Sequence, residues 1–114
     1  MTRIYGISNC DTVRKAKTWL QQEGIDYQFV DFRKDGLTLD QVQRWCDAVG
    51  IDNLLNRRGT TWRKLDESVK QITDQQQLQQ LLVDHPALIK RPVLERGNHT
   101  SVGFNADSWK QIFA

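Results

Sequence analysis

Two periodicities divide the first half of the chain. Residues 3–7 (R-I-Y-G-I) are short, β-prone and followed by Ser8 and Asn9, a pattern that predicts a buried strand closed by a turn. From about residue 12 to 22 the apolar positions Val13, Ala16 and Leu20, with Trp19 beside them, recur at helical spacing, and Gly24 marks the stop. Residues 27–32 (Y-Q-F-V-D-F) predict a second strand, and Asp35-Gly36 turns the chain. A second helix is expected from Thr38 or Leu39 to Val49, with Leu39, Val42, Trp45, Cys46 and Val49 facing inward and Gly50 ending it. A right-handed crossover through the first helix makes the two strands parallel.

Beyond residue 50 the strand signal disappears for some thirty positions. Residues 51–55 and 62–65 suggest short helical turns, and Asp74-Gln-Gln-Gln77 resembles a capping box ahead of a longer helix carrying Leu78, Leu81 and Leu82. The five glutamines between 75 and 80 read as that helix's solvated face, and Pro86 ends it. Two short β-like runs, 93–95 and 100–102, flank Gly97-Asn98, with His99 in the turn. Asn105 or Asp107 then caps a last helix bearing Trp109, Ile112 and Phe113. The expectation is a single α/β domain over residues 1–114: a small mixed sheet in the order βαβα–ββα, with a helical insert at about 53–85.

Composition changes little in this picture. The chain has 114 residues, 39% apolar and 26% charged, and its sixteen basic against fourteen acidic residues leave only +2, too little to argue for nucleic acid. No leader-like apolar core opens the sequence and no run reaches membrane-spanning length, so a cytoplasmic protein is expected. Two cysteines make no disulfide framework, and with two scattered histidines they give no metal-ligand spacing.

The cysteines differ in position. Cys46 lies on an apolar helical stripe and reads as packing. Cys10 sits where a strand ends and a helix begins, so unpaired N–H groups and the positive end of the helix dipole favour its thiolate. A free thiol with pKa about 8.5 needs a shift of roughly two units, about 2.7 kcal/mol, to be mostly ionised at neutral pH. Position alone leaves packing and nucleophile both open for Cys10. Valine at position 13 removes a C-x-x-C partner, and Ala16 excludes a phosphatase-like loop with arginine there. Arg14 lies one helical turn on and could lend charge to the sulfur or a bound anion. His85 and His99 read as surface residues and Arg57-Arg58 with Arg63-Lys64 as a solvated basic cluster, whereas Arg91 is held extended by Pro92, whose bond can be cis.

Four segments in order carry a resemblance over nearly the whole chain: I4-Y-G-I-S-N-C-D-T-V-R14, L54-L-N-R-R-G-T-T-W62, H85-P-A-L-I-K-R-P-V93 and V102-G-F-N105. With them the chain resembles the ArsC/Spx family of thioredoxin-like proteins. It is most similar to the YffB-like subgroup, whose G-I-x-N-C-D-T signature matches residues 6–12. The resemblance implies a thioredoxin-like fold, Cys10 as the redox cysteine, and Arg91 before a cis Pro92 that shapes the site, facing the sulfur. Asn9 and the helix N-terminus would stabilise the thiolate, and Arg91 and Arg14 would attract the carboxylates of glutathione, a co-substrate rather than a bound cofactor.

The implied function is a monomeric glutathione-dependent thiol-disulfide reductase acting on an oxidised thiol substrate. The alternatives are a Spx-like module that docks on transcription machinery without catalysis, and a glutathione-coupled arsenate reductase. Three departures bear on these. The histidine that arsenate reductases carry four residues before the cysteine is Gly6, two of their three oxyanion arginines fall at Asn56 and Gly103 (with Arg57 and Arg58 adjacent to the first), and Val13 removes the C-x-x-C switch of many Spx-type regulators.

Overall fold

A computed structural model describes all of residues 1–114. In chain order the elements are β1 (Thr2–Gly6), α1 (Asp11–Gln22), β2 (Gln28–Asp31), α2 (Leu39–Val49), α3 (Ile51–Leu54), α4 (Thr60–Arg63), α5 (Glu67–Lys70), α6 (Gln75–Asp84), a 3-10 turn at Pro86–Leu88, β3 (Val93–Arg96), β4 (His99–Val102) and α7 (Ala106–Ile112). They fall into two compact units, Met1–Asp35 with Arg91–Ala114, and Gly36–Lys90. The expected βαβα–ββα order and mixed sheet are present. No helix is long and apolar enough to cross a membrane.

The first unit holds the sheet, in strand order β2-β1-β3-β4. β1 pairs with β2 in parallel, Ile4 opposite Phe29, as the crossover through α1 requires; β3 is antiparallel to both β1 and β4. Because α1 turns Ala16 and Leu20 to one side and alternate strand positions point the same way, Ile4, Ala16, Leu20, Leu94 and Trp109 close into one core cluster. Trp109 brings α7 to it and meets Phe104 edge-on at 4.9 Å and Trp19 at 5.8 Å between ring centroids.

The second unit is helical. Thr38 opens α2 with a complete capping box: its hydroxyl accepts the Gln41 N–H at 3.2 Å while the Gln41 side chain accepts the Thr38 N–H at 3.1 Å. α2 packs on α6, whose first turn is capped by Asp74 accepting the Gln77 N–H at 3.0 Å. Leu55 and Ile89 form an antiparallel bridge, flanked by Asn56 N–H to Leu88 C=O and Lys90 N–H to Leu54 C=O, each 2.8 Å. This unit holds the helical segment expected at about 53–85 together with α2, which packs on α3 and α6.

Three local expectations need correction. Leu39 is 38% exposed, since the cap places it in the first turn ahead of the buried stripe of Val42, Trp45 and Cys46. Gln79 is buried rather than solvated, and its amide meets the Cys46 sulfur. His99 is not in the turn but begins β4, opposite Arg96. α5, four residues long, is too short to show a helical period in the sequence.

Candidate active site

The loop between β1 and α1 is short and tied at several points. The Phe32 N–H donates to Gly6 C=O at 3.1 Å, the Cys10 N–H to Ile7 C=O at 3.3 Å, and the Arg14 N–H to Cys10 C=O at 3.0 Å, which makes Cys10 the N-cap of α1. Gly6 is a close-approach position. A Cβ built there would lie 2.7 Å from Cγ2 of Val13, so α1 seats directly on the end of β1. No histidine fits where Gly6 stands unless Val13 gives way.

Cys10 is half-buried and extended at φ −99° and ψ 129°. Its sulfur closes no cap hydrogen bond of regular geometry, yet it sits among the groups that act on its charge. Burial alone would raise the thiol pKa. The Val13 N–H, the Arg91 guanidinium by hydrogen bond and by charge, and the Thr12 N–H outweigh it, and the pKa falls below that of an ordinary thiol.

Arg91 reaches the site through a cis peptide bond to Pro92, as the resemblance implied. Pro92 is buried, and its carbonyl accepts the Gly103 N–H at 2.9 Å, so the end of β4 holds the proline turn in place. Gly103 has φ +79°, a left-handed conformation in which an arginine would be strained.

Arg14 is placed differently from expectation. Its guanidinium turns back within its own helix to pair with Asp11, and it is not among the groups acting on the Cys10 sulfur. With Lys15, Trp19 and Phe104 it instead lines a groove along the outer face of α1. Asn9 is exposed in the turn just before Cys10. Arg57 pairs with Asp52 at 3.0 Å and lies over the Trp62 ring, and Arg58 is held by its N–H to the Asn56 side chain, all inside the helical unit. His85 is the exposed C-cap of α6.

A further residue was missed in the sequence. Asp31, at the end of β2, is only 7% exposed, and its carboxylate accepts backbone N–H groups from Arg33 at 2.9 Å, Lys34 at 3.4 Å and, across to the Cys10 loop, Ser8 at 3.3 Å. Burial favours the neutral acid, but the Arg33 N–H, the Ser8 hydroxyl and N–H, and the Lys34 N–H hold the carboxyl below the usual carboxylate range. The available signal was an aspartate closing a β-run two residues before a potential N–H donor, the pattern of an Asx turn.

The second cysteine has the opposite setting. Burial pushes the Cys46 thiol up, against a hydrogen bond from Gln79 that lowers it and the Asp47 charge that raises it further. Iodoacetamide should therefore alkylate Cys10 in the folded protein while Cys46 reacts only after unfolding. Quantifying both adducts by peptide mass spectrometry with and without denaturant tests this, and equal native rates would remove the distinction between the two thiols.

The model of the ArsC family matches residues 5–112. A solved structure of the YFFB protein is 42% identical, with a TM-score of 0.96 over the full length of both chains. The solution structure of an arsenate reductase (ArsC) related protein from Brucella melitensis is 44% identical, with a TM-score of 0.79 over 98% of this chain and 93% of its own. The global transcriptional regulator Spx of Staphylococcus aureus is 28% identical over 98% of this chain and 86% of its own.

Proposed function

Since the chain belongs to the ArsC family, we propose that it is a thiol-disulfide reductase that uses Cys10 as its nucleophile and glutathione as its second thiol. The observation that carries this reading is the cysteine's setting: a half-buried thiol at a helix N-terminus, its pKa lowered by the Val13 and Thr12 N–H groups and by Arg91 against its burial, with valine where a resolving cysteine would stand.

The Cys10 thiolate attacks the glutathione sulfur of a mixed disulfide R–S–S–G. The substrate leaves as R–S⁻ and takes a proton, and a Cys10–S–S–G bond forms. Glutathione thiolate then attacks the glutathione sulfur of that bond, which releases Cys10 as thiolate and yields oxidised glutathione. Each step exchanges one S–S bond for another, and the two electrons come from glutathione. Arg91, beside the sulfur, is the group suited to a carboxylate of the tripeptide, with Asn9 at the mouth of the turn. Arg14, exposed on α1 and paired with Asp11, stands further from this role than Arg91, which acts directly on the sulfur.

Exposure to oxidised glutathione followed by intact-mass and peptide analysis tests the first half-reaction. One glutathione should add, on Cys10 alone, and reduced glutathione should remove it. An adduct on Cys46, or none, would overturn the proposed chemistry.

A second reading, a regulator that docks on transcription machinery, draws on the Spx relative. Stable capture of RNA polymerase by the purified protein, with the Cys10→Ser variant binding equally well, would favour that reading over catalysis.

A further inference from the structure

We propose that Asp31 is a positioning residue for the Cys10 thiol, its buried carboxylate dividing its two oxygens between its own turn and the loop that carries the cysteine. The inference rests on the reading of Cys10 as the reacting group. It adds a determinant of reactivity from a strand twenty-one residues further along the chain.

The division is explicit in the hydrogen bonds. Oδ1 accepts the N–H groups of Arg33 and Lys34, which any aspartate opening a turn could take. Oδ2 accepts the Ser8 N–H, and the carboxylate takes the Ser8 hydroxyl as well; these contacts close no local turn and tie the end of β2 to the Ser8-Asn9 turn. The Phe32 N–H to Gly6 C=O bond lies alongside and extends the β1–β2 pairing to the same point. The loop from Gly6 to Cys10 is thus clamped from one side by residues 31 and 32, while Cys10 begins α1 on the other.

The field that lowers the thiol pKa depends on this clamp. The Thr12 and Val13 N–H groups and Arg91 act on the sulfur only if the residue before the helix holds its extended conformation. An ionised carboxylate is an acceptor with no proton to donate, so it holds all three N–H groups and the Ser8 hydroxyl at once. Among residue types of this size, no other side chain offers two equivalent acceptors. A buried carboxylate bonded only to its own turn would need no link to a segment 23 residues away.

Asp31→Asn is the selective test. Asparagine keeps one acceptor oxygen, which best serves the two N–H groups of Arg33 and Lys34, and its NH₂ then faces the Ser8 N–H, donor against donor, with only the Ser8 hydroxyl oxygen left to accept from it. The local turn persists, and the clamp falls from two charge-assisted bonds to at most one neutral bond through the Ser8 hydroxyl. The rate of Cys10 alkylation by iodoacetamide is measured against pH in the folded protein, beside a control, Ile112→Ala, which loses packing on α7 without touching the loop.

The expected result is an upward move of the alkylation midpoint in Asp31→Asn, with a rate at pH 7 roughly three- to tenfold lower, as half to one pKa unit implies. The control should keep the wild-type midpoint. A midpoint in Asp31→Asn that superimposes on the wild type, or one that moves equally in the control, would overturn the proposal. Because alkylation needs no glutathione, a failure of the reductase reading alone would leave this result standing, and the reverse also holds.

Discussion

Replacing Cys10 by serine should reduce glutathione-dependent disulfide reduction to the uncatalysed rate, the largest effect available from one atom. Serine hydroxyl is not ionised at neutral pH and cannot exchange into an S–S bond, so the expected loss is on the order of 10³-fold or more. No other thiol can substitute. Position 13 is a fully buried valine, and Cys46 is buried with its pKa raised. In the wild type the rate with a small disulfide should rise with pH through the lowered Cys10 pKa and then level off. The same substitution should change stability with a defined sign. The folded Cys10 pKa lies below that of the unfolded thiol, so between the two values the unfolded chain binds more protons, and stability rises with pH. That contribution is absent below the folded pKa, complete above the unfolded value of about 8.5, and missing in Cys10→Ser. Cys46, with its pKa raised, opposes it only from about pH 8.5 upward, so the window below that isolates Cys10. Urea melts of both proteins across this range, together with the turnover assay, make the test. Persistent turnover in Cys10→Ser would end the assignment of the nucleophile.

What could be seen of this site in the sequence was what lay on contiguous stretches. A cysteine following turn residues and preceding an amphipathic run has to fall near a helix N-terminus, and Arg91 before Pro92 has to be extended; both followed from local stereochemistry. The path of Arg14 did not, because two partners competed for one guanidinium. An aspartate three residues earlier on the same helix is within reach, and the guanidinium pairs with it on the exposed face of α1. Asp31 was hidden for a different reason. Its identity predicts a local turn, but its second oxygen bonds a residue that only the β1–β2 register brings near. The same limit explains Gln79. Periodicity assigns a glutamine among glutamines to solvent, and only the packing of α2 on α6 sets its amide against the Cys46 sulfur.

Arg91→Ala should then separate disulfide chemistry from oxyanion chemistry. Arg91 donates a charge-assisted hydrogen bond to the Cys10 sulfur, an interaction class worth about 1.5–3 kcal/mol. The site is half-exposed, so solvent screening reduces this, and a loss of roughly tenfold in disulfide reduction at pH 7 is expected, with the alkylation midpoint moving up. Arg91→Lys should recover part of the charge effect but not the forked geometry. Arsenate makes a harder demand. An arsenate ester on sulfur concentrates negative charge that several fixed donors must surround. The positions where the family resemblance sets two further arginines hold Asn56 and Gly103, and the left-handed backbone of Gly103 disfavours arginine. Two absent donors of this class remove about 3–6 kcal/mol, a factor of roughly 10² to 10⁴ in rate. Turnover of arsenate with glutathione should therefore be negligible beside that of a small disulfide in the wild type, and already so before Arg91 is changed. Rapid arsenate reduction, lost in Arg91→Ala, would mean that one arginine with the helix N-terminus suffices to hold the oxyanion, and the disulfide would no longer be the favoured substrate class.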